Sequence, residues 1–118
     1  LINDQIKKEY SYSESKIEIE VVKLSDYIKK PVDFLKMDIE GAESDVFVDL
    51  DISGKMDMVD DTTIEFHRFS SAENKLSTIM GVLEKYDHDA VFLSNFSSLE
   101  DIKRSYYNYM IRAGKRHW

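Results

Sequence analysis

Residues 16–22, KIEIEVV, alternate apolar and polar positions, with Ile17, Ile19 and Val21 facing one way and Glu18, Glu20 and Val22 the other. A period of two predicts a half-exposed strand. The preceding residues 1–15 are polar, with Tyr10 and Tyr12 among Ser and Glu, and are expected to form a loose end. In LSDYIKK, Ser25 is placed to cap a short helical turn that ends before Pro31. Next, VDFLKMDI (32–39) is nearly continuous in apolar residues and predicts a strand buried on both faces, as in a parallel sheet. AESDVFVDL (42–50) predicts a helix, with Ala42, Val46, Phe47 and Leu50 near one face and Gly54 as its stop. TTIEFH (62–67) is β-branched and aromatic, hence a second strand. About 22 residues lie between these strands, enough for a right-handed crossover through the helix. Ser70 and Glu73 have capping-box spacing before Leu76, Ile79, Met80, Leu83 and Tyr86, a helical apolar stripe. AVFLS (90–94) predicts a strand, SSLEDIK (97–103) a helical turn, and YYNYMIR (106–112) a last strand antiparallel to the one before it. Together these elements predict a single α/β domain over 1–118, its sheet parallel in the middle with an antiparallel edge.

Composition narrows the classes of function. The 118 residues are 42% hydrophobic and 33% charged, as in globular domains. No apolar run nears the roughly 18 residues that span a bilayer, so no membrane partner is expected. The net charge of −7 sits in the first half: residues 1–60 hold 15 acids and 8 bases, whereas 61–118 hold 8 of each. Such a chain has no electrostatic reason to bind nucleic acid. Zero Cys removes disulfides, thiolate metal sites and thiol nucleophiles, and a reducing cytoplasm fits.

Against this background FLKMDIEGAESDVF (34–47) stands out. It crowds Lys36, Asp38, Glu40, Glu43 and Asp45 around Gly41 where a strand hands over to a helix. In open α/β sheets, ligands bind beyond the carboxyl ends of parallel strands. Lys36, Asp38 and Glu40 share one face of the first strand, and Glu65 and His67 share one face of the next. If the strands are parallel neighbours, these groups form one cluster. A buried Lys36 would need a carboxylate partner. Other uses remain open: Asp38 and Glu40 as caps of the helix, Glu43 as a first-turn acid serving the dipole, His67 as an ordinary strand-end residue. Asp38, Glu40, Glu65 and His67 also make a chemically sensible set for Mg²⁺ or Mn²⁺, although the leading expectation includes no metal.

VDFLKMDIEGAESDVF resembles the signature of the FkbM-type methyltransferases, D-x-x-K-x-D-x-E-G-x-E before an apolar helix, carried here by Asp33, Lys36, Asp38, Glu40, Gly41 and Glu43. VVKLSDYI, with Leu24 and Asp26, and TTIEFHR, with Glu65, resemble the family's flanking segments. The resemblance implies the C-terminal portion of a Rossmann-like class I methyltransferase sheet, mostly parallel with an antiparallel edge. It implies S-adenosylmethionine-dependent O-methylation of a hydroxyl on a sugar or secondary metabolite, a small-molecule or glycan acceptor. Carried onto this chain, it makes Asp38 the candidate base or substrate orienter, with Lys36 and Glu40 tuning it and His67 a second candidate base. Glu43 and Glu65 become candidate substrate contacts. The family's Gly-rich cofactor turn has no counterpart among Gly41, Gly54, Gly81 and Gly114. The chain is therefore expected to be a C-terminal part of the enzyme, to bind S-adenosylmethionine poorly by itself, and to be catalytic only in a full-length context. A non-catalytic binding module lacking the cofactor half is the competing expectation.

Overall fold

Two adjacent parallel strands organise the molecule. The computed structural model describes residues 15–69, 74–93 and 106–117. Strand β1 (Val32–Met37) runs parallel to β2 (Val59–Phe69), in a register that sets Val32 beside Val59 and Met37 beside Ile64. Helix α1 (Glu43–Ile52) makes the crossover between them. It ends at Gly54, whose φ of 72° is the left-handed conformation a glycine takes without cost. Helix α2 (Leu76–Lys85) packs beside α1, and strands β3 (His88–Leu93) and β4 (Tyr106–Lys115) complete the sheet. The strand order is β1-β2-β4-β3.

Both helices lie on one side of this sheet. Phe47 and Leu50 of α1, and Ile79, Val82 and Leu83 of α2, share a core with Met37, Ile64, Phe66, Ile111 and Ala113. Leu76 and Met80 pack at its edge, so the apolar stripe of the second helix serves the core as its spacing predicts.

The sheet is mixed rather than mostly parallel. Among the described strands only β1 and β2 run parallel; β4 enters between β2 and β3 and pairs antiparallel with both. β4 pairs with β2 over Tyr106–Gly114 and with β3 over Met110–Lys115, so its backbone is bonded on both sides in the latter half. Nor is β1 buried on both faces. Leu35 and Met37 face the core, whereas Phe34 is 56% exposed and Lys36 is exposed too. A layer of helices on one side of the sheet leaves the other face of β1 to solvent.

KIEIEVV departs from its pattern altogether. Residues 16–22 belong to no strand, and Ile17, Ile19 and Val21 are exposed. Alternation marks which residues would share a face, but a strand also needs an edge to pair with, and none of the described strands pairs with this segment. The segment leads into a 3-10 turn at Leu24–Tyr27. Ser25 lies inside that turn rather than at its cap. Its amide and hydroxyl both donate to the Asp49 carboxylate of α1, at 2.9 and 2.7 Å. The loose end expected over 1–15 falls almost wholly outside the described residues, as do the Ser70–Glu73 capping box and the turn at 97–103.

Candidate functional site

The site begins where β1 ends. Past Met37 the chain leaves the ladder, and two successive residues take positive φ, Glu40 at 56° and Gly41 at 111°. Gly41 adopts this freely; Glu40 carries the strain of a side chain in the left-handed region. The double turn redirects the chain into α1, so Asp38 and Glu40 finish beside the end of β2. Neither caps the helix. Its N-cap is Ala42, which makes no side-chain capping bond.

The next carboxylate goes inward. Glu43, in the first turn of α1, has no exposed surface. Its Oε1 lies 2.5 Å from His67 Nδ1. Its Oε2 accepts from Asn74 Nδ2 at 2.5 Å and from the Gly41 amide at 3.1 Å. Asn74, just before α2, also donates to the His67 carbonyl at 2.8 Å and accepts from the Ser44 amide at 2.8 Å. The Ser44 hydroxyl in turn accepts from the Lys75 amide. This buried network ties both helix starts to the end of β2. Three donors answer the cost of burying a carboxylate there.

His67 is the pivot. It is 1% exposed, and because a carboxylate only accepts, Glu43 fixes the proton on Nδ1. Nε2 then points outward at three more carboxylates: Asp38 Oδ1 at 3.4 Å, Glu40 Oε1 at 3.4 Å and Glu65 Oε1 at 3.6 Å. Burial disfavours the imidazolium, but the hydrogen bond and charge of Glu43, then the charges of Glu40 and Glu65, outweigh it and raise the His67 pKa above its ordinary value of 6.5.

Thus the parallel pairing of β1 and β2 brings Asp38, Glu40, Glu65 and His67 together. Asp38 and Glu40 form the rim, their side chains 41% and 70% exposed, and His67 lies behind them. Lys36 is elsewhere: its side chain is exposed on β1, and no ion pair joins it to the described carboxylates. The burial cost that called for a partner does not arise. Glu43, expected against the acceptor, instead has its oxygens taken by His67, Asn74 and Gly41.

Residues 3–102 match the family described as the methyltransferase FkbM domain. The chain belongs to the FkbM methyltransferase family. Neither a curated protein nor a solved structure matches it. Among the described residues of this FkbM domain, no helix is long and apolar enough to cross a membrane.

One residue of the buried network escaped the sequence. Asn74 stands 31 residues beyond Glu43 and outside every recognised segment, and no local pattern marks it. A single polar residue at the entrance to an amphipathic helix was the available signal, and it reads equally as a cap.

Proposed function

We propose that this FkbM domain forms the acceptor side of an S-adenosylmethionine-dependent O-methyltransferase acting on a hydroxyl of a sugar or secondary metabolite. The observation that carries this is the set of three carboxylates held around a buried, Glu43-oriented His67 at the carboxyl end of the only parallel pair among the described strands. Carboxylates accept hydrogen bonds and so suit a ligand that presents several hydroxyls. The donor's binding is assigned to none of the described residues.

On the acceptor, this chain's task is to orient one hydroxyl and take its proton as the oxygen becomes a nucleophile. Asp38 is the base, because it stands at the rim within reach of an acceptor, whereas His67 is shielded behind it. Glu40 and Glu65 hold neighbouring hydroxyls. His67 and Glu43 are positioning residues that keep the three carboxylates converged. Action in the cytoplasm belongs to the same proposal and rests on the chain's lack of Cys.

The test is transfer of labelled methyl from S-adenosylmethionine to a panel of sugars and hydroxylated small molecules by the full-length protein. Asp38→Asn is expected to lower kcat by about 100-fold or more without changing Tm, the usual scale for losing a general base. Unchanged turnover would remove Asp38 from the chemistry. An intact protein that binds hydroxylated ligands yet transfers methyl to none would identify a binding module instead.

A further inference from the structure

Four carboxylates and one imidazole meet within a few ångströms, and the groups on the rim are all acceptors. The distances around His67 Nε2 do not suit direct hydrogen bonds. N–H···O bonds run about 2.7–3.2 Å, whereas here three separate oxygens stand off at 3.4, 3.4 and 3.6 Å. Those separations do suit ligands sharing a cation. Two atoms each about 2.1 Å from an ion, at a tetrahedral angle, lie about 3.4 Å apart. One ligand atom each from Asp38, Glu40 and His67 lies within 4.8 Å of the other two.

A cluster of exposed acids alone would mean little. Here a second feature points to a ligand: an imidazole that is 1% exposed and aimed into the cluster. With the proton on Nδ1 held by Glu43, Nε2 is the nitrogen aimed at the three carboxylates, and it becomes a ligand when an incoming cation displaces the proton those carboxylates favour there. A carboxylate behind a histidine, fixing its tautomer and turning its other nitrogen outward, is also how metal-ligating histidines are supported. The Glu43 carboxylate is itself held by Asn74 and Gly41, so the support is built two residues deep.

We infer that Asp38, Glu40 and His67, with Glu65 beside them, bind a divalent first-row cation of the Mn²⁺ or Zn²⁺ kind. An imidazole nitrogen favours these ions over Mg²⁺, and the carboxylate oxygens favour divalent ions over Cu(I). The use of the ion rests on the acceptor-site proposal; its binding does not. In that use, the ion's open positions take the acceptor hydroxyl oxygen and lower its pKa. The proton passes to the Asp38 carboxylate oxygen that the ion leaves free, so Asp38 remains the base.

The test is electron paramagnetic resonance of the purified, metal-stripped protein titrated with Mn²⁺, with calorimetry for Zn²⁺. One tightly held ion per chain is expected, with spin-echo modulation from a directly bound imidazole nitrogen. His67→Gln loses that modulation, and Asp38→Asn, at an exposed position, weakens binding. Glu43→Gln touches no ion, yet is expected to lower affinity about 10–100-fold by releasing the ring. No stoichiometric binding, or binding without nitrogen modulation and indifferent to His67→Gln and Glu43→Gln, overturns the inference and leaves an ordinary acidic patch. The two proposals separate cleanly. Methyl transfer that persists in a chelator with no bound ion defeats the ion's use in the reaction alone, and ion binding without methyl transfer defeats the acceptor-site proposal alone.

Discussion

Replacing Asn74 by Ala should unfold the site from behind. The side chain is 2% exposed and makes three hydrogen bonds, to Glu43 Oε2, the His67 carbonyl and the Ser44 amide. Alanine strands the His67 carbonyl and the Ser44 amide and removes one of the donors to Glu43 Oε2. Glu43 Oε2 keeps the Gly41 amide at 3.1 Å, so that oxygen is weakened rather than orphaned. Each stranded buried group costs about 1–3 kcal/mol, which puts the total at about 3–5 kcal/mol. That is a large share of the about 5–15 kcal/mol typical of a whole domain. With a urea slope of about 1.5 kcal/mol per molar, the midpoint falls by about 2 M or more. Urea unfolding followed by far-ultraviolet circular dichroism measures it. Asn74→Asp is the matched control: it keeps the acceptor for Ser44 but sets a second carboxylate against Glu43, so it should fall at least as far. A midpoint within about 0.3 M of the parent for Asn74→Ala would refute the network's role. So would an Asp variant that is tolerated where Ala is not, because then volume rather than donors decides.

Two further outcomes can be measured with the same method. His88 is buried, and burial, followed by the Lys115 charge, holds its pKa below 6.5; its contribution is whole above 6.5 and is lost as pH falls through the lower folded value. His67 is raised, so its contribution is whole below 6.5 and is lost as pH rises through the folded value. His88→Leu should therefore flatten the decline of the urea midpoint below pH 6.5, and an unaltered acid limb would contradict this. Ser25→Ala removes a 2.7 Å hydrogen bond to Asp49 that anchors the 3-10 turn to α1 and should cost about 1–2 kcal/mol, seen as a lower Tm; no change would mean that the amide of residue 25 holds the turn alone.

What could be read from the sequence was local, or followed from one topological step. The runs at 32–39, 42–50 and 62–67 carry their own periodicity, and their spacing selects a parallel crossover. Once that crossover is granted, Asp38, Glu40, Glu65 and His67 must converge, because β1 ends at Met37 beside Ile64 and the residues that follow it lie against the stretch of β2 after Ile64. The failures share a cause. KIEIEVV has a strand's pattern, but pairing depends on an edge elsewhere in the chain. The insertion of β4 beside β2 is likewise decided by non-local partners. Lys36 looked buried because an apolar run suggests burial, and only the placing of both helices on one side shows which face of β1 is wet. The inward turn of Glu43 toward His67 depends on Asn74, and no spacing rule connects residues 31 positions apart.

Glu40 sets backbone comfort against chemistry at a single position. Its φ of 56° is one that glycine would occupy without strain, and a non-glycine residue there costs about 1–2 kcal/mol. The substitution that would most relax the chain is therefore the one that deletes a carboxylate from the rim. Screening for thermal robustness and screening for ligand affinity would push this corner in opposite directions, and a variant library sorted on stability alone would be expected to drift toward a firmer, emptier site.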